Sequence, residues 1–255
     1  MLCTPVSITS LAFDVAWHAA RLDDKPPALT VPSPGSTFTE RRLLEQQGWE
    51  ELHRLGLAQH GRLHGDASDA LVTLGGASRE LYGFFGGAED EPRSVIAASR
   101  GDDAVLALLD DGCVTMESVR ATNLAEAVLS VLPRLNKAPG PALSAPLSAA
   151  HGDAAEGGSV LQRSDGGTGD AAAGQRMRRA LDRPRIGGGQ FYSAGRDRWG
   201  KRGRNPALVS MVDTVDGRYI AETRPSDRGE PWVILAPADN GALMRAFNGL
   251  LGALR

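Results

Sequence analysis

The sequence predicts an α+β fold built from two similar halves about a pseudo-twofold axis, with a central antiparallel sheet flanked by helices. Three observations carry this. The order helix, four strands, helix occurs twice along the chain; the strand runs are separated by turn chemistry rather than by crossovers; and two tight turns, RGDDA at 100–104 and VDGRY at 215–219, fall at matching places in the two halves. Two half-buried antiparallel sheets of this kind pack most simply side by side, with helices covering one face.

The first half is assigned to residues 1–135. Its first clear helix begins at STFTERRLLEQQGWEELHRLG, where Thr37 and Glu40 have capping-box spacing and Leu44, Leu52 and Leu55 recur at helical intervals beside Trp49. Gly56 ends it, and DASDALVTLG forms a short second helix. The runs RELYGFFG, RSVIAASR, DAVLALLD and CVTMESV follow, separated by GAEDEP, GD and DG, which marks an antiparallel meander. An amphipathic helix closes the half: Asn123 and Glu126 have cap spacing, and Leu124, Val128, Val131 and Leu132 share one side.

From 136 to 173 both periodicity and apolar content fall away into Gly, Ala, Ser, Pro and Asp, the composition of a linker or a disordered segment. The second half, 174–255, repeats the plan. GQRMRRALDRP reads as a short helix; GGGQFYSAG, PALVSMVDT, GRYIAET and PWVILAP read as strands; and a last helix carries Leu243, Phe247, Leu250 and Leu254 on one side. The two halves together form a single composite domain.

Aligning the halves sets FFGGAEDEPR, which holds Glu89, Asp90 and Glu91, against the stretch that holds Arg196, Arg198, Lys201, Arg202 and Arg204. Equivalent loop tips therefore carry opposite charge. The chain as a whole, 255 residues at formal charge −3, offers no global attraction to nucleic acid or an anionic membrane, so an electrostatic partner has to be met by a local patch. Two cysteines, Cys3 and Cys113, provide no disulfide framework, and the N-terminal stretch has no early Lys or Arg and is interrupted by Asp14, unlike a signal peptide. No run approaches the length of a transmembrane helix. These features predict a cytoplasmic protein.

No motif supplies an enzyme. IGGGQFYSAG lacks the Lys-Ser/Thr of a phosphate loop, has Tyr192 where a dinucleotide fingerprint needs glycine, and leads into a strand; glycines that let one strand pass close to another account for it better. His60 and His64 have ligand-like spacing but no helix to share, neither cysteine sits in a metal motif, the pairs Asp102–Asp103 and Asp110–Asp111 lie at turns, and there is no GxSxG elbow. No catalytic residue, metal or cofactor is assigned. A binding surface is what the apolar stretches permit, with Phe84, Phe85, Phe191, Tyr192 and Trp199 near the two prongs as candidate anchors and Glu89, Asp90, Glu91, Arg93, Arg196 and Arg198 around them; ordinary core explains at least half of the aromatics. A nucleic-acid regulator using the basic loop 196–204, with Trp199 as a stacking platform, is the alternative from a different class.

The stretches 26–71, 93–119 and 187–222, with GGGQF before a basic run and VDTVDGRY as their most specific pieces, resemble the EspG family of actinobacterial type VII secretion. The resemblance spans nearly the whole chain. It implies a cytosolic, non-enzymatic chaperone that holds PE/PPE heterodimers, masks an apolar tip on the PPE partner and needs no cofactor. It also implies contacts through the sheet, a C-terminal helical bundle and the loop between two early strands, which by position is Gly86 to Arg93. Either a PPE-like protein or a WXG100-type helical hairpin would suit as client, and the chaperone itself is expected as a monomer or weak homodimer without a membrane partner.

Overall fold

The computed structural model of the protein describes residues 2–151, 167–224 and 229–254. The first half runs β1 (Val6–Thr9), α1 (Ser10–Ala19), α2 (Phe38–Arg54), a small hairpin of β2 (Ala58–Gln59) and β3 (Arg62–Leu63), α3 (Gly65–Gly75), the meander β4 (Arg79–Gly87), β5 (Arg93–Arg100), β6 (Asp103–Asp110) and β7 (Cys113–Ser118), then α4 (Leu124–Ser130). The second runs β8 (Leu143–Pro146), α5 (Leu147–His151), α6 (Gly167–Leu181), β9 (Arg185–Arg196), β10 (Arg202–Thr214), β11 (Gly217–Arg224), β12 (Trp232–Pro237) and α7 (Asn240–Gly252).

All the long strands join one 10-stranded antiparallel sheet in the order β1-β7-β6-β5-β4-β9-β10-β11-β12-β8. The order is the same from either edge, since each half turns its first strand back against its last. The matched turns equate Ala98 with Val212, whose partners are Glu80 and Gly188. The same offset makes Gly83 the counterpart of Phe191, and these two residues pair with each other across β4 and β9. The pseudo-twofold axis passes through that pair.

Helices cover both faces, not one as the sequence suggests. On the first face α1, α2 and α3 pack over β1, β5, β6 and β7 through Ile8, Phe13, Trp17, Leu71, Ile96 and Val105. Strand register brings α5 and α6 to the same face, over β8, β11 and β12, through Ala145, Met177, Tyr219 and Leu235. The second face holds α4 and α7 near the axis, against Leu81, Phe85, Phe191 and Met211. Alternation explains this: every central strand carries apolar residues on both faces, and each face must be buried.

The capping box at Thr37 and Glu40 forms, and Gly56 follows α2 in a left-handed conformation at φ 70°. Asn123 occupies the cap position of α4 without bonding its backbone; its side-chain amide donates to Glu126 Oε2 at 2.8 Å instead. Within the stretch 136–173, residues 143–151 and 167–173 lie in regular elements: β8 forms the sheet edge, and α5 and α6 pack together. Their contact uses small residues, so no large apolar period marks it; a Cβ on Gly174 would lie 2.6 Å from the carbonyl oxygen of Ala149. Residues 152–166 lie outside the described residues. Among the described residues no helix is long and apolar enough to cross a membrane.

Candidate functional site

Alternation along β4 and β9 sorts the candidate aromatics. Phe84 pairs with Gln190 on the first face, between the helices of the two halves, and both side chains are exposed, Phe84 at 39%. Phe85 and Phe191 point the other way. They are 2% and 0% exposed, and Phe191 meets Phe247 of α7 with ring centroids 4.8 Å apart. These two are therefore core residues and not partner contacts, because a one-residue step along a strand exchanges faces.

The loop joining β4 and β5 stands beside Phe84. Glu89, Asp90 and Glu91 are exposed there, while Arg93 is half-buried, 4.0 Å from Asp110 and with its guanidinium 4.8 Å from the Phe85 ring centre. A groove of about 880 Å3 opens at this end, with Phe84, Asp90, Arg185, Gly188, Gln190 and Ser210 among its walls. Glycines shape it. A Cβ on Gly188 would lie 2.7 Å from Met211 O, and one on Gly187 would lie 2.7 Å from Gly86 O, so the triple glycine serves close strand approach.

The basic stretch forms the hairpin between β9 and β10 at the opposite end. Nine residues of β4 separate the two ends, roughly 25 Å at the usual strand rise. Arg196 donates to Gly75 O at 2.6 Å and to Gly200 O at 2.9 Å. Arg202 makes a forked pair with Glu80, Nε to Oε1 at 2.9 Å and Nη2 to Oε2 at 2.8 Å, and those hydrogen bonds hold its guanidinium above the ordinary arginine range. It also lies 5.4 Å from the Tyr82 ring, which stacks on Tyr192 at 5.5 Å, and Arg204 lies 5.1 Å from the Tyr192 ring. Trp199 is 75% exposed at the tip, with Arg198 4.0 Å from its ring centre.

The candidate residues thus divide. Phe84 and the acidic loop share one end; Arg196, Arg198 and Trp199 share the other; Tyr192 lies between, half-buried in a stack. Tyr82 and Glu80, which build that stack with Arg202, were not among the residues singled out; the alternation of RELYGFFG against a basic strand was the available signal. Among the described residues no group of three His, Cys, Asp or Glu side chains is placed to hold a metal ion.

A family model described as the EspG family matches residues 9–248. Among solved structures, 14 chains match. One is the Mycobacterium tuberculosis type VII secretion system chaperone EspG5 in complex with the PE25-PPE41 dimer, at 16% identity and a TM-score of 0.72, with 99% of this chain and 97% of that chain covered. At that identity the likeness shows a shared fold. No curated protein sequence matches.

Proposed function

The chain belongs to the EspG family, and on that premise we propose that it is a cytosolic, non-enzymatic type VII secretion chaperone that holds a PE/PPE-like helical client and masks its apolar tip before export. The observation that carries the reading is Phe84, exposed in a groove between helices of the two halves with Glu89, Asp90 and Glu91 beside it. An aromatic side chain at the floor of a groove is a natural anchor for an apolar tip, and a charged rim governs approach and register. The shared fold of EspG5, whose solved complex holds a PE25-PPE41 dimer, supports the client class.

Masking alone suffices for such a role. An exposed apolar patch of several hundred Å2 invites aggregation, and a partner that covers it stabilises the soluble form by mass action. The test is co-expression with helical PE/PPE-like pairs encoded beside the protein, followed by pull-down and size-exclusion chromatography. A client that becomes soluble and co-elutes supports the proposal; failure of every such pair to co-purify contradicts it.

A further inference from the structure

The basic hairpin is not used by the client reading, and its side chains divide by task. Arg196 and Arg202 fasten the hairpin to the body, through Gly75 O and through Glu80. Asp197 is committed within the turn: its Oδ1 accepts from Trp199 N and Lys201 N, both at 2.9 Å, which fixes the tip. Arg198, Lys201 and Arg204 are exposed, and among the described residues none of them pairs with a carboxylate.

Beneath the tip runs a groove of about 450 Å3, with Arg79, Lys201 and Arg204 on its rim and Leu254 as an apolar wall. The C-terminal carbonyls of α7 also reach this region, but their negative ends are already answered. Leu250 O accepts from Ser193 Oγ at 2.8 Å and Asn205 Nδ2 at 3.2 Å, and Leu251 O accepts from Arg79 Nη2 at 3.1 Å. Among the described residues what remains uncompensated is positive charge, on a tip tied by Asp197 and carrying an exposed indole.

We propose that this end of the molecule docks a short acidic peptide segment of a partner protein, at a surface separate from the client groove. Charge complementarity selects the occupant. The free cations gather at one tip and one groove instead of running as a stripe, and Arg198 already covers one face of Trp199; both features fit a short peptide with an apolar side chain better than a nucleic-acid backbone with stacked bases. The acidic loop lies at the far end of β4, and the two grooves share no lining residue.

The test uses the full chain and a fluorescein-labelled peptide of alternating Asp and Glu around one Leu, read by anisotropy at ~50 mM and ~200 mM salt. Saturable binding that weakens with salt, falls about tenfold or more in the double variant R198E/K201E, and falls in W199A is expected. The triple variant E89K/D90K/E91K should leave it unchanged, so loss of client binding and loss of peptide binding are separable. Absence of saturable binding, binding that R198E/K201E does not weaken, or equal or tighter binding of single-stranded DNA of the same length would overturn the proposal.

Discussion

Gly83 and Phe191 face each other across the central strand pair, and a Cβ added to Gly83 would lie 2.3 Å from Cδ1 of the Phe191 ring. The pseudo-twofold relation makes them counterparts, so the duplicated chain has broken its symmetry at the axis by giving one copy a ring and the other the space for it. Phe191 then stacks under α7 against Phe247 and alongside Phe85, with centroids 6.5 Å apart for the latter pair. One buried aromatic fills the centre where two would collide.

Gly83→Ala should therefore destabilise the fold by about 1–3 kcal/mol, since the ring is packed against Phe85 and Phe247 and the added carbon would also lie 2.6 Å from Gln190 O. Gly249→Ala is the control. It lies inside α7 with nothing within 4 Å of the added carbon, and should raise stability by about 0.5–1 kcal/mol through helix propensity. Urea unfolding of the two variants checks both signs.

Phe84 and Phe85 are neighbours in sequence with opposite roles, and truncation should separate them. Phe84→Ser should cost about 1 kcal/mol or less in stability yet abolish client capture. Phe85→Ala should cost about 3–5 kcal/mol, as expected for a deleted core ring. Thermal unfolding together with pull-down of a PE/PPE-like pair distinguishes the two outcomes.

Glu80 is 2% exposed and is held by the guanidinium fork of Arg202. Removing the guanidinium in Arg202→Met leaves that carboxylate buried and unpaired, at a cost of about 3–5 kcal/mol, and Arg202→Lys should recover only part because it cannot form the fork. Adding Glu80→Gln to Arg202→Met should return much of the loss. A double-mutant cycle in urea measures the coupling.

Asp14 ties α1 to α2 and to the loop between them, accepting from Lys25 Nζ at 2.7 Å, Arg41 Nη1 at 2.7 Å and the Ser33 hydroxyl. Burial pushes its carboxyl up, but the bonds from Lys25, Ser33 and Arg41 outweigh burial and leave it below its ordinary 3.8. A depressed folded value means the stabilisation is fully present above the unfolded value and is lost as pH falls through the folded one. Wild-type melting temperature should thus fall more steeply below about pH 4 than that of Asp14→Asn, which starts lower and lacks the titration.

The meander strands and their turns could be read from sequence because each carries a local signal: β-branched or apolar runs between separators rich in Gly, Asp and Glu. The edge strands β1 and β8 could not. Each is four residues, β8 ends at Pro146, and the partner of β1 lies more than a hundred positions away in β7. Likewise α1 hides in an apolar stretch whose Asp14 breaks the pattern until Lys25 and Arg41 are seen to answer it. For the candidate site, the opposed charges of the two loop tips followed from aligning the halves. Which aromatic faced the groove did not, because register decides it: Phe84 and Phe85 exchange roles with a shift of one residue.

The most direct test of the chaperone account is the affinity of the purified protein for a soluble PE/PPE-like pair, measured by titration calorimetry beside Phe84→Asp and E89K/D90K/E91K. The account predicts a stoichiometric complex for the wild-type chain, no detectable heat for Phe84→Asp, and weakened binding for the loop reversal with unfolding midpoints preserved. Undiminished binding by both variants would contradict it and move the client surface away from this groove.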